Sequence, residues 1–189
     1  DVSKAQDVER LFAKIDNVPG NLVGLVNNAG TLQSQMRLDQ MDVERWDQVF
    51  TQNVKSAFLC SKAAVLKMST RYGGHGGAIV NISSASSYLG GANEYVDYAA
   101  SKGAMDSMTR GLALEVAGEG IRVNAIRPAL IDTEIHALGG MPDRVERKKI
   151  AVPLQRGGSP DEVADAALFL LTSQSSFVTG TFIDVTGGL

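Results

Sequence analysis

Tyr98 and Lys102 close the ends of the run Tyr98-Ala99-Ala100-Ser101-Lys102, and Ser84 lies upstream of both. A spacing of four on a helix puts two side chains on one face, one above the other. A phenol is ordinarily too weak an acid to exchange protons near neutral pH. An ammonium fixed beside it favours the phenolate and draws its pKa down, which makes the hydroxyl usable as a proton donor or acceptor. A serine hydroxyl nearby can donate to the oxygen of a bound carbonyl. The trio suits the interconversion of a carbonyl and an alcohol, with hydride supplied by a cofactor. Alone, a Tyr-x-x-x-Lys match has little specificity, because a tyrosine packed under a lysine stem on a half-exposed helix gives the same pattern.

The elements that must hold these groups can be read from hydrophobic period and stop signals. Ser3 followed by Gln6 has the capping-box pattern, and Val8, Leu11, Phe12 and Ile15 form a helical stripe that Pro19-Gly20 ends. Leu22 to Val26 is a short apolar run, read as a strand buried on both faces, and it delivers Asn27-Asn28-Ala29-Gly30 to its end. Asp42 is an N-cap for one long helix to Ser69, with apolar residues at Val43, Trp46, Val49, Phe50, Val54, Ala57, Phe58, Val65 and Met68. Asn53 interrupts that stripe, where asparagine costs up to about 0.7 kcal/mol relative to alanine.

Ala78 to Ile82 is the next strand, with Ser83-Ser84 at its end. A second long helix carries Tyr98 and Lys102 to about Ala117, and its small residues Ala99, Ala100, Gly103 and Ala104 permit close packing. Ile121 to Ile126 is a strand halted by Pro128. Residues 129 to 158 have weak periodicity. Ser159-Pro160-Asp161-Glu162 opens the last helix with an N-cap, a proline at the first position and a closing glutamate. Thr181 to Val185 is the final strand. Strands alternating with helices predict a parallel sheet covered on both faces. In such sheets ligands lie outside the carboxyl ends of the strands, which puts Asn27, Ser84 and Pro128 on one side.

Composition narrows the function. With 44% hydrophobic and 21% charged residues and a net charge of −3, the chain has no basic footprint for nucleic acid or an acidic membrane. No apolar run approaches a membrane span. The two histidines and one cysteine are scattered, so no metal-ligand cluster is predicted. Cys60, the single cysteine, excludes an internal disulfide, fits a reducing, cytoplasmic setting and is read as a small buried apolar residue. His136 could be a pocket residue, but a lone histidine more often faces solvent, and that is the reading taken.

The ordered set Asn27-Asn28-Ala29-Gly30, Asn53, Ser84, Tyr98 with Lys102, and Arg127-Pro128 with Thr133 resembles the short-chain dehydrogenase/reductase family, over residues 1–189. The resemblance implies a single Rossmann-like α/β domain with a doubly wound parallel sheet, and an NAD(P)-dependent oxidoreductase acting on a small carbonyl compound or alcohol. Tyr98 would be the proton donor/acceptor. Lys102 would lower its pKa and hold the nicotinamide ribose, Ser84 would polarise the carbonyl, and Asn53 would complete a tetrad by anchoring a water. For the cofactor, Asp1 would contact the adenine amino group with Val2 beside it. Asn27, Ala29 and Gly30 would support the ribose and the central sheet, and Pro128, Ile131 and Thr133 would contact the nicotinamide end. Ala129 stands where the family usually has glycine. The cofactor is NADP or NAD, with a lean to NADP.

The same resemblance implies that residues 134 to 150 form a lid, that Asn93-Glu94 line the entrance, and that the protein is a homotetramer of D2 type. No strand-Gly-x-Gly-x-x-Gly-helix segment occurs in the chain, so the match is to the C-terminal part of a longer member, without its first two βα units. The strand at 22 to 26 would then be a sheet edge, beside an open groove at Asn27 to Gly30. Two other readings stay open: a non-catalytic cofactor sensor or scaffold of the same fold, and an inert fragment. The intact Ser84, Tyr98 and Lys102 set favours the enzyme.

Overall fold

The apolar runs become four parallel strands in the computed structural model, which describes all of residues 1–189. They are β1 (Gly24–Asn27), β2 (Gly77–Ile82), β3 (Ile121–Pro128) and β4 (Phe182–Val185), in spatial order β1-β2-β3-β4. Register is fixed by pairs such as Asn27 with Asn81, Asn81 with Ala125 and Pro128 with Val185. β1 is an outer strand, as expected, but it starts two residues later than the apolar run suggested. It is also not buried on both faces: Val26 is exposed, because its side chain looks into the groove described below.

Successive residues of β2 serve opposite faces. Ile79 joins a core with Val8 and Phe12 of α1 (Ala5–Ile15), Ala64 and Met68 of α3 (Ser56–Met68), and Val116 of α5 (Val96–Val116). Val80 joins Ile126, Ala167 and Leu170, the last two from α8 (Pro160–Leu171), on the other face. The sheet is thus covered on both sides, a Rossmann-like α/β fold. α8 starts with the full capping box: Glu162 N donates to Ser159 Oγ and Ser159 N to the Glu162 carboxylate. At α1 the box does not form. Lys4 holds the N-cap position, and Ser3 instead donates from N and Oγ to the Asp1 carboxylate at 2.9 and 2.7 Å.

The single helix expected from Asp42 to Ser69 is two α-helices joined by a π-helical stretch. α2 (Val43–Phe50), capped by Asp42 through Arg45 N, passes through Thr51–Lys55 into α3. Its buried face keeps only part of the apolar stripe, at Val49, Ala57 and Met68. Val43, Trp46 and Phe58 are exposed, while Arg45, Asn53, Ser56 and Ser61 are buried. Arg45, Asn53 and Ser61 take that face because each has a partner across it, Ser56 bonds the Gln52 carbonyl of its own segment, and two of the four reach the site. Cys60 is buried as expected, and burial pushes its thiol pKa up.

Candidate active site

Ser84 follows β2, just before the short α4 (Ser86–Leu89), and Tyr98 and Lys102 lie one turn apart on α5, so the three side chains line one groove at the carboxyl ends of the strands. The volume of this groove is about 1140 Å³. Ser84 Oγ accepts from Ser86 N at 3.1 Å and donates to the Pro128 carbonyl at 3.5 Å, with the Tyr98 phenol near enough to feel the hydroxyl. Ser83 turns away, its hydroxyl donating to the Lys102 carbonyl at 3.3 Å. This separates the two adjacent serines that the sequence offered.

Lys102 is 3% exposed, and its Nζ donates to the Ile82 carbonyl at 2.8 Å and lies 3.6 Å from Met105 Sδ. Burial draws its pKa from 10.5 down to about 8, with the Asp106 carboxylate opposing. The ammonium stands 5.6 Å from the Tyr98 ring centre. The expected lowering of the Tyr98 pKa by Lys102 is not what the geometry gives. Burial pushes the phenol above its ordinary value, and the nearby Ser84 hydroxyl offsets this only in part. Desolvation of the phenolate outweighs an ammonium aimed at a backbone carbonyl.

Asn53 is fully buried in the π-helical stretch. Its Oδ1 accepts from Thr31 N at 2.7 Å, and its Nδ2 donates to the Thr31 carbonyl at 2.9 Å and to Ser101 Oγ at 3.0 Å. Ser101 in turn donates to the Tyr98 carbonyl at 2.7 Å. Asn53 therefore ties the loop after β1 to the helix that carries Tyr98. A second tie runs in parallel. Arg45 pairs with Asp97, the residue before Tyr98, at 2.7 and 3.3 Å, and donates to the Ser34 carbonyl at 2.7 Å. Neither Ser101 nor the Arg45–Asp97 pair stood out in the sequence, where each reads as a solvated helix residue.

The residues expected around a cofactor divide. Gly30, Pro128, Ile131 and Thr133 line the groove, as does Asn28. A Cβ at Gly30 would stand 3.2 Å from Asn53 Oδ1 and 3.5 Å from Lys102 Nζ, so glycine keeps the floor beside the lysine clear for a flat ligand. Ala129, in the family's usual glycine position, has no left-handed backbone to accommodate and donates from N to the Val185 carbonyl at 3.2 Å. Asn27 faces into the sheet, its Nδ2 donating to Ser61 Oγ and Asn81 Oδ1 at 2.9 and 2.8 Å. It therefore supports the sheet and not a ligand directly. Ala29 is exposed beside the groove, Val2 packs against the core below α1, and the Asp1 carboxylate is held by Ser3. The apolar floor, the clear glycine and the one buried ammonium fit a dinucleotide's nicotinamide end.

The expected lid contains α6 (Ile135–Leu138) and α7 (Arg144–Lys148), and residues 134 to 138 line the groove. Glu94 does not line it. Glu94 latches the lid instead, through Arg144 at 2.5 Å and Lys148 at 3.3 Å. Tyr95 donates to the Gly139 carbonyl at 3.3 Å, and a Cβ at Gly139 would meet Leu32 Cδ1 at 2.5 Å. His136, read as solvent-facing, is buried at 8% exposure with Nε2 2.7 Å from the Ile131 carbonyl. That carbonyl gives the ring a partner inside, which the sequence could not reveal in a segment without period. The side chains form no cluster that could hold a metal, and no helix is long and apolar enough to cross a membrane.

Comparison with known proteins agrees with this fold. A family model described as enoyl-(acyl carrier protein) reductase matches residues 1–189. The uncharacterized oxidoreductase YgfF of Escherichia coli is 52% identical over 188 residues, which cover all of this chain and 76% of that protein. The 2-(S)-hydroxypropyl-CoM dehydrogenase 3 of Xanthobacter autotrophicus is 36% identical over 194 residues, covering all of this chain and 74% of its own. A solved structure of ElxO, a tyrosine-to-phenylalanine variant with NADPH bound, superposes with a TM-score of 0.88 at 30% identity, over 99% of this chain and 75% of that one.

Proposed function

The chain belongs to the short-chain dehydrogenase/reductase family, and from that premise we propose that it is an NAD(P)-dependent oxidoreductase interconverting a small carbonyl compound and its alcohol. The observation that carries this reading is the convergence of Ser84, Tyr98 and Lys102 on one groove whose floor is cleared by Gly30. The reduced nicotinamide, when bound, supplies hydride to the carbonyl carbon. Pro128, Ile131 and Thr133 would flank the nicotinamide end, Lys102 would hold the ribose hydroxyls, and Asn27 and Ala29 would set the strand end beside it. Asp1 and Val2 would serve the adenine end. Ser84 donates a hydrogen bond to the carbonyl oxygen, and Tyr98 donates its phenolic proton to that oxygen as the alcohol forms. Oxidation runs the same path backwards, with Tyr98 accepting.

The raised pKa of Tyr98 keeps it a neutral phenol near pH 7, the form that a reduction consumes. Asn53 positions Tyr98 through Ser101 and the Tyr98 carbonyl. NADP is the preferred cofactor in this reading, supported by the NADPH-bound neighbour. We take the protein to be cytoplasmic, which the single cysteine fits, and a homotetramer, which is supported by apolar side chains left exposed on α3 and α5, such as Phe58, Leu66 and Leu114. The Tyr98→Phe variant tests the chemistry. It keeps the ring and removes the proton, so kcat falls by roughly 100-fold or more while dinucleotide affinity, read by fluorescence titration, stays within about twofold. Retention of most of the turnover would remove Tyr98 as proton donor.

A further inference from the structure

The His136 ring has one nitrogen committed and one free. Nε2 lies 2.7 Å from the Ile131 carbonyl. A backbone carbonyl only accepts, so Nε2 carries the hydrogen, and in the neutral ring Nδ1 is a bare acceptor. Nδ1 has no partner in the protein, and it is not among the polar atoms closed off from solvent. His136 lines the same groove as Ser84 and Tyr98, so the groove is where an accessible Nδ1 can meet a ligand. Its lid neighbours Ile135, Ala137 and Leu138 bring no side-chain donor or acceptor, and Glu134 is exposed. A substrate that fills the groove displaces the water on Nδ1. The acceptor then needs a donor from that substrate or loses its hydrogen bond on desolvation.

We propose that His136 is a specificity-determining residue and that the substrates are hydroxylated carbonyl compounds, hydroxy ketones or hydroxy aldehydes. Their hydroxyl donates to His136 Nδ1 while their carbonyl faces Ser84 and Tyr98. This rests on the carbonyl-reductase reading, and it adds a second anchoring point for the substrate. The same groove accepts a plain ketone less well, because that ligand leaves Nδ1 dry and unpaired.

Two measurements on the full chain test it, with hydroxyacetone and acetone as the matched pair. The first does not need turnover. The chain has two histidines, and His75 is exposed, so a long-range proton–nitrogen spectrum resolves the His136 ring. The expected spectrum has the Nε2–H tautomer, with an Nδ1 resonance that moves on adding hydroxyacetone and stays on adding acetone. An Nδ1–H tautomer, no movement with either, or equal movement with both overturns the proposal. The second is the ratio of kcat/KM for hydroxyacetone over acetone. It falls roughly tenfold in His136→Leu, the equivalent of one hydrogen bond, and is partly kept in His136→Gln, whose amide can donate to Ile131 and still accept. An unchanged ratio in His136→Leu also overturns it. Turnover of neither ketone by the unmodified chain counts against the reductase reading, while the spectrum still decides the role of His136.

Discussion

Replacing Lys102 with methionine should make the protein more stable at neutral pH and remove a specific pH dependence. The lysine must keep an ammonium at a site that is 3% exposed, and its pKa falls there from 10.5 to about 8. At about 1.4 kcal/mol per pH unit, holding the charge at pH 7 opposes folding by about 3 kcal/mol. Methionine keeps the stem length without the charge, next to Met105. The lost hydrogen bond to the Ile82 carbonyl takes back about 1 kcal/mol, so the variant gains about 2 kcal/mol at pH 7. The sign in pH follows from proton counts. Between about pH 8 and 10.5 the unfolded chain binds more protons at residue 102 than the folded one, so the lysine's penalty is full below pH 8 and fades towards 10.5. The stability difference between the two proteins therefore shrinks by about 3 kcal/mol across that window, whatever the constant offset from the hydrogen bond. Urea unfolding followed by far-UV circular dichroism, at one protein concentration and at pH 7, 8, 9 and 10, measures it. Curves that run parallel over this range would refute the claim that the ammonium is held against its own desolvation.

Arg45→Met leaves the Asp97 carboxylate buried and unpaired and should cost about 3–5 kcal/mol, while the double variant Arg45→Met with Asp97→Leu should recover much of that loss in the same unfolding assay. The homotetramer predicts sedimentation as a single species of four chains at micromolar concentration, and Leu114→Glu, at a position 80% exposed in the isolated chain, should shift it towards smaller species. A monomer before substitution would exclude the assembly.

The strands and the site trio were legible for a local reason. Each strand is a short apolar run with a stop signal, and Tyr98 and Lys102 need only helical spacing to meet. Asp42 and the Ser159–Glu162 box are likewise short-range signals, and both form. What escaped depends on partners that the local pattern does not name. Arg45 is buried only because Asp97 and the Ser34 carbonyl wait across the interface. His136 is buried because the Ile131 carbonyl takes its Nε2. Ser3 has the residue type of a cap, but the Asp1 carboxylate is the nearer partner. The pKa of Tyr98 turned on where the Lys102 ammonium points, which spacing on a helix does not determine.

The π-helical stretch at Thr51–Lys55 has a consequence for phase. From Arg45 to Met68, both buried, a continuous α-helix would turn by 100° per residue and leave the two side chains about 140° apart around the axis. A widened turn absorbs one residue of that count and brings the offset down to about 40°. The buried side of the whole segment is thereby kept in line, so α2 can press on α5 and α3 on α1 without the rod unscrewing between them. Asn53 stands at the correction itself, which makes the residue that fastens the catalytic helix also the one seated where the winding is reset.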